Sequence, residues 1–325
     1  MAAVEVDRLR RDYRQRAGLS GRRRPAVEAV RGISFGIEPG ETYGLLGPNG
    51  AGKTTVIKVL TTLLLPTAGT ARVLGHDVAS RPAEVRRRIG YVFGGDRGLY
   101  DRLSAFDNLR YFAELYAVPA REQRRRIGYL LDLVDLADRQ RDRVEGFSRG
   151  MRQRLHIARG LLHDPPVLFL DEPSIGLDPV AARTLRTTIA DLAAAGRTIL
   201  LTTHYMYEAD ELCDRISIIR GGSIVAEGTP AGLKAGVGAG SVLEVSGRGV
   251  PAGTVELIRG LPGVCSVTVE ERAGGQVLLV RTEPATQLTA RILGCLDDRQ
   301  IGTVAVRAPT LEDAYVELVG DQGAA

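Results

Sequence analysis

Residues 47–55 read GPNGAGKTT. Glycines at this spacing let a backbone turn tightly and come close to a ligand. A run of backbone N–H groups opening a helix then makes a concave anion site, here along the loop Gly47, Pro48, Asn49, Gly50, Ala51 and Gly52, in which Pro48 shapes the turn and the others carry the N–H groups. Lys53 can reach the terminal phosphates of a bound nucleotide, and the Thr54 hydroxyl, beside Thr55, can hold Mg²⁺. The flanks suit the loop: TYGLLG before it reads as a short buried strand, and TTVIKVLTTLLL after it as a helix with an apolar face. A plain glycine-rich turn leaves Lys53 and the two threonines unexplained. Lysine is also scarce, at Lys53, Lys58 and Lys234 alone, so it is not the default cation of this chain.

Further stations follow. Ser148 and Gly150 stand just before an amphipathic run that ends at Pro165-Pro166, a second anion site at a helix start. VLFLDEP, residues 167–173, is an apolar strand running into two acids. At the C-terminal edge of a parallel sheet, Asp171 would hold Mg²⁺ and Glu172 would act as general base on a water. TILLTTH is another apolar strand with His204 just past it. A lone histidine is more often structural, but one at this edge could contact a γ-phosphate. Tyr13 is the aromatic that could stack on a base; a half-buried strand residue fits the pattern equally well.

The elements that must position these residues are legible in outline. Residues 1–46 read as a small antiparallel sheet with a turn at Pro39-Gly40. PTAGTARVLGHDV is a turn-rich β segment, AEVRRR a basic helix, IGYVF a strand and GGDRGLY a loop. Residues 103–118 have helical spacing, with Ser104 and Asp107 as a capping box. Of the 16 aromatics (Tyr 10, Phe 6), seven fall between Tyr91 and Tyr116, a density read first as core and second as a partner site. SIGLDP precedes a helix to about residue 195, and ISIIRGGSIVAEGTP is a hairpin turning at Gly221-Gly222. Gly/Ala-rich residues 231–240 read as a linker. Beyond them the order βαββαβ, with a helix over 284–298, predicts a small ferredoxin-like unit over 241–320, closed by LEDAYVELVG.

Composition sets bounds. The chain has 325 residues, 44% hydrophobic and 25% charged, and a formal net charge of +4, as ordinary globular proteins do. No apolar run is long enough to span a bilayer, and the N-terminus lacks a signal core, so secretion is not expected. Cys213, Cys265 and Cys295 show neither metal nor disulfide spacing and read as buried thiols in a reducing compartment. Arg8, Arg10, Arg11, Arg14, Arg16 and Arg22 to Arg24 concentrate positive charge near the start, read as a solvated segment before an anion-binding one.

Taken in order, the phosphate loop, SRG before a helix, strand-Asp-Glu and strand-His resemble the nucleotide-binding subunit of an ATP-binding cassette (ABC) transporter, over roughly residues 4–230. GPNGAGKTT resembles that family's Walker A, VLFLDEP its Walker B, SIGLDP with Asp178 its D-loop, and His204 its switch histidine. Tyr13 falls where the family stacks adenine, and FSRGMRQRLHIARGLL resembles its signature region. The ending PTLEDAYVELVG is similar to the daunorubicin/doxorubicin-resistance-type drug-export branch. The resemblance implies an α/β fold: a P-loop NTPase ABC cassette at 1–230, with RecA-like core sheet, antiparallel β subdomain and helical subdomain at about 96–163, followed by the ferredoxin-like α+β domain.

It also implies ATP and Mg²⁺, with Lys53, Glu172 and His204 catalytic, Thr54 and Asp171 on the metal, and Tyr13, the loop, Ser148, Gly150 and Asp178 on the nucleotide. ATP would be sandwiched in a head-to-tail dimer, of like or paired subunits, with Ser148 and Gly150 acting in trans. Output would pass to a separate membrane permease, docked near residues 95–116, on the cytoplasmic face of the membrane. No nucleic acid is expected; the competing reading is a soluble ABC-type ATPase acting on ribosomes or DNA. Two departures stand out. FSRGM replaces LSGGQ through Arg149 and Met151, and Gly94 or Gly95 stands where the family has a glutamine after the IGYVF strand. Asp96, a water or backbone groups are the substitutes open at that point.

Overall fold

The apolar runs TYGLL, IGYVF, VLFLD, TILLTT and RISIIR lie side by side in one sheet. In this computed structural model, which describes residues 1–13, 26–94, 98–236, 240–247, 249–272, 275–283, 288–296 and 301–320, the strand order is Ser223–Gly228, Arg215–Arg220, Thr42–Leu46, Thr198–Thr203, Val167–Asp171, Ile89–Phe93. Every neighbouring pair is parallel except the first, which is the hairpin turning at Gly221-Gly222. Thr42–Leu46, Val167–Asp171 and Thr198–Thr203 are buried along their whole length, as strands covered on both faces must be. Parallel pairing brings their C-terminal ends to one edge: Leu46 lies opposite Thr203, and Asp171 opposite Thr202. The glycine-rich loop, the two acids and His204 all follow strands at that edge.

A second sheet, antiparallel, runs Val27–Ile37, Val4–Tyr13, Ala68–Val73, His76–Asp77. Its inner residues Val4, Leu9, Val30 and Ile37 share one core with Tyr43 and Leu45 of the parallel sheet. Between them lies the Lys53–Leu60 helix, which buries Val56, Ile57, Val59 and Leu60. The helix that carries Lys53 is therefore clamped from two sides, and its first turn is fixed at the sheet edge.

The helical region holds Ala105–Leu115, Ala120–Leu133 and Arg149–Gly160. Ser104 caps the first: its Oγ accepts from the Asp107 N–H at 3.0 Å and donates to Asp107 Oδ2 at 2.6 Å. The acid thus closes on the capping hydroxyl rather than on the backbone of residue 104, a variant of the capping box. The aromatic cluster divides. Phe93 and Phe112 flank the buried Arg159 guanidinium at 5.5 and 5.0 Å, and its Nη1 donates to the Gly98 carbonyl at 2.7 Å. Tyr100, Tyr111 and Tyr116 are 47%, 41% and 41% exposed, so the reading of this stretch as core fails for them. The Ala105–Leu115 helix buries only Ala105, Asn108, Leu109 and Ala113, a stripe narrower than its apolar surface.

The chain forms two compact units, Met1–Thr229 and Pro230–Ala325. In the second, four antiparallel strands take the order Val264–Arg272, Gly275–Thr282, Val242–Gly247, Ile301–Arg307, with helices Ala252–Arg259 and Thr289–Leu293, the split βαβ of a ferredoxin-like fold. Two readings are corrected here. Residues 231–236 of the supposed linker belong to the helix Pro230–Gly236, which buries Leu233 and packs against Leu311–Gly320. Alanine and a buried leucine outweigh the glycines. The remaining linker residues 237–239, and parts of the expected 284–298 helix, lie outside the described residues. Cys213 is buried, but Cys265 is exposed and Cys295 only half-buried. A register shift between Val264 and Ser266 turns Cys265 away from the core.

Candidate functional site

The loop is built on glycine. Gly52 caps the Lys53–Leu60 helix at φ 110°, and a Cβ there would sit 2.4 Å from the Ala29 carbonyl oxygen. At Gly47 a Cβ would meet the Ile219 carbonyl oxygen at 2.2 Å. The loop is thus pressed against two neighbouring strands, and its form needs residues without side chains at both points.

Lys53 is 3% exposed. Its Nζ donates to the carbonyl oxygens of Gly47 at 2.7 Å and Pro48 at 3.1 Å, and lies 3.1 Å from Glu172 Oε1. Glu172 Oε2 meets His204 Nδ1 at 3.1 Å. A carboxylate can only accept, so Nδ1 carries the proton in this contact. Glu172 therefore joins the loop lysine to the histidine past the adjacent strand. Its backbone is left-handed, φ 48°, which costs on the order of 1–2 kcal/mol for a residue with a side chain.

Asp171 Oδ1 accepts from Thr202 Oγ1 at 2.6 Å and from Thr54 Oγ1 at 3.1 Å. Burial raises its carboxyl above the usual carboxylate range; the two hydroxyl donors and Lys53 oppose the shift, and the charge of Glu172 adds to it. The Thr54 hydroxyl and the Asp171 carboxylate are hard oxygen donors next to a phosphate-type loop, a set that suits Mg²⁺ completed by waters and phosphate. Tyr13 is half-buried, and its hydroxyl lies 3.4 Å from Thr55 Oγ1 with the Arg11 guanidinium 5.1 Å from its ring centre. It is both a strand residue and a neighbour of the loop.

The other expected residues form a separate group. Ser148 caps the Arg149–Gly160 helix, its Oγ accepting from the Met151 N–H at 3.2 Å. Gly150 packs against the Pro179–Ala194 helix; a Cβ would lie 2.7 Å from Ala181 Cβ. Asp178 caps that second helix, its Oδ1 accepting from Val180 N at 3.0 Å and Ala181 N at 2.9 Å. Arg149 reaches the Gly176 carbonyl oxygen at 3.4 Å, so signature and D-loop segments are held to each other. Among the described residues no hydrogen bond or ion pair joins Ser148, Gly150 or Asp178 to Lys53, Thr54, Asp171, Glu172 or His204.

Residues 30–175 match the ABC transporter family model. A daunorubicin resistance ATP-binding protein of Streptomyces coeruleorubidus is 39% identical over 296 residues, 90% of this chain and 92% of that protein. The chain belongs to the ABC transporter family. It is an ATP-binding, ATPase-type subunit of that family, and the resemblance drawn from the motifs holds. A Nod factor export ATP-binding protein of Paraburkholderia xenovorans (strain LB400) is 35% identical over 319 residues, 98% of this chain and 97% of that one. Among solved structures, cbiO1 from Clostridium perfringens, part of the ABC transporter complex cbiONQ, superposes with a TM-score of 0.63 at 27% identity, covering 72% of this chain and 91% of that one. Among the described residues no helix is long and apolar enough to cross a membrane.

Of the two glycines that stand near the family's glutamine position, Gly94 is required by packing. The Gly94 N–H donates to the Asp171 carbonyl at 2.8 Å. A Cβ on Gly94 would stand 2.5 Å from the Glu172 carbonyl oxygen and 2.7 Å from Ile175 Cγ2. No side chain fits unless Glu172 moves. Gly94→Gln, which puts a glutamine at one of those two positions, is therefore expected to lower stability by about 1–3 kcal/mol, the usual cost of overpacking. Denaturant midpoints of the two proteins check this; equal midpoints refute it. Gly95, the other candidate for that position, and Asp96, one of its possible substitutes, lie outside the described residues. Two contacts escaped the sequence reading. Thr202 was hidden in TILLTTH, where only the pair of threonines before His204 hinted at it. Asn108, fully buried, clamps the Tyr100–Ser104 turn through bonds to Tyr100 N at 2.8 Å and to the Tyr100 and Ser104 carbonyls, both at 3.0 Å.

Proposed function

We propose that the chain is the ATP-hydrolysing subunit that powers export through a separate membrane permease, and that ATP is completed between two copies or paired subunits. The observation that carries this reading is the division of the site. Lys53, Thr54, Asp171, Glu172 and His204 are linked by hydrogen bonds and ion pairs, directly or through Thr202, while Ser148 and Asp178 cap two helices that meet at Gly150, with no bond to the first group among the described residues. Each group is half of a nucleotide site, and a head-to-tail pair supplies the missing half in trans. The Ser148 hydroxyl accepts from its helix and keeps its own proton for a phosphate oxygen.

In this reading the loop amides and Lys53 bind the phosphates, and Tyr13 lies against the base. Thr54 and Asp171 would hold Mg²⁺, which supplies charge neutralisation at the β- and γ-phosphates. Glu172 accepts a proton from the attacking water. His204 donates its Nδ1–H in a hydrogen bond to Glu172 and keeps that proton, so its Nε2 can donate to the γ-phosphate only in the imidazolium form. Tyr100, Tyr111, Leu115 and Tyr116, exposed on the helical region, offer an apolar surface that suits a permease segment. The relatives named for daunorubicin resistance and Nod factor export support export, and the cargo is left to the permease.

The test is ATPase activity of the purified chain against its own concentration, with Mg²⁺ present. Activity per molecule should rise with concentration as pairs form. A specific activity that stays constant from dilute to concentrated protein would sink the composite site.

A further inference from the structure

Thr202 is fully buried on the central strand Thr198–Thr203. Its hydroxyl does two things at once. It donates to Asp171 Oδ1 at 2.6 Å, and it accepts from the Glu172 N–H at 3.1 Å, beside the bond from that N–H to the Thr202 carbonyl at 3.0 Å. The next hydroxyl along, Thr203 Oγ1, turns to other partners: it accepts from the Tyr205 N–H at 3.0 Å, and the Thr203 side chain hydrogen-bonds Glu208. Thr202 is thus the side chain that touches both acids of the site from the neighbouring strand.

We propose that Thr202 is a positioning residue for the metal-nucleotide site, its hydroxyl holding Asp171 and Glu172 in one fixed arrangement. The inference rests on the nucleotide reading above. With Thr202 and Thr54 both donating to Oδ1, the Asp171 carboxylate is turned so that Oδ2 is the oxygen left for a cation or its water. The same hydroxyl helps to keep Glu172 in its left-handed backbone, φ 48°, where its side chain reaches both Lys53 and His204. A buried hydroxyl needs one acceptor for its proton; this one meets that need on Asp171 and also takes up the Glu172 N–H. Residues that orient metal ligands in this way typically change metal affinity or activity when removed, while leaving the ligands themselves in place.

Two variants of the full chain separate this role from a merely structural one. Thr202→Val keeps the β-branched shape and removes the hydroxyl; Thr202→Ser keeps the hydroxyl and removes a methyl. Mn²⁺ is the probe, its binding read by electron paramagnetic resonance in the presence of a non-hydrolysable ATP analogue. Binding of that analogue without metal is measured alongside. Thr202→Val should weaken Mn²⁺ binding by roughly 10–100-fold. Metal-free analogue binding should stay within about twofold, since the glycine loop and Lys53 carry it. Thr202→Ser should recover most of the loss. Unchanged Mn²⁺ binding in Thr202→Val, or a serine variant as impaired as the valine one, overturns the proposal. Absence of analogue binding in the unsubstituted chain overturns the nucleotide reading and this inference with it.

Discussion

Replacing Glu172 by glutamine should leave ATP binding intact and lower turnover by roughly 10²–10⁴-fold, the scale on which a positioned general base contributes. Glutamine has the shape of glutamate and can keep both neighbours. Its carbonyl oxygen can face Lys53, which lies 3.1 Å from Oε1, and its amide N–H can donate to His204 Nδ1, now 3.1 Å from Oε2, once the imidazole takes the tautomer with its proton on Nε2. The loop, the Gly47 and Pro48 contacts of Lys53, and the Thr54–Asp171–Thr202 bonds do not pass through the Glu172 side chain. What is lost is the ability to take a proton. A nucleotide titration beside phosphate release decides it. Equal affinity with collapsed turnover supports the role, whereas turnover like that of the unsubstituted chain removes Glu172 from it.

The central machinery was legible because it is built from short contiguous runs. The loop GPNGAGKTT, the strand VLFLD with its acids, and TILLTTH with its histidine each carry their residue types within a few positions. Parallel pairing then brings those runs to one edge. The C-terminal unit was legible in the same way, since strand and helix alternate with clear breaks. What escaped depends on pairing between distant segments. Thr202 acquires its role only because the Thr198–Thr203 strand lies beside Val167–Asp171. Gly94 or Gly95 stands in sequence for a missing glutamine, and the approach of the Glu172 carbonyl makes the glycine at 94 a packing requirement. Arg149, which departs from the family signature, finds its partner 27 residues away at Gly176. The Gly/Ala-rich stretch after Thr229 misled for the opposite reason: composition suggested a linker, while the helix Pro230–Gly236 is decided by a surface it packs on.

Removal of Lys53 should have two consequences that come apart. Lys53→Ala is expected to weaken ATP binding by about 100-fold or more, the loss of charge-assisted hydrogen bonds to phosphate worth roughly 1.5–3 kcal/mol each. It should also destabilise the fold. The lysine is 3% exposed and Glu172 is 16% exposed on its side chain, so deleting the cation leaves a carboxylate poorly hydrated and two loop carbonyls without their donor. Breaking a buried pair from one side costs about 3–5 kcal/mol at most, and partial exposure of Glu172 places this case toward or below the lower end. The double variant Lys53→Ala/Glu172→Gln removes the stranded charge and should regain part of that stability. It should regain none of the nucleotide affinity, because the amide offers no cation to a phosphate. Denaturant unfolding and nucleotide titration on both single variants and the double variant form a cycle that reads the coupling directly. If the double variant is no more stable than Lys53→Ala, the Lys53–Glu172 pair does not hold the loop. If Lys53→Ala binds ATP as the unsubstituted chain does, the buried lysine serves the fold alone, and the phosphate role assigned to it is wrong.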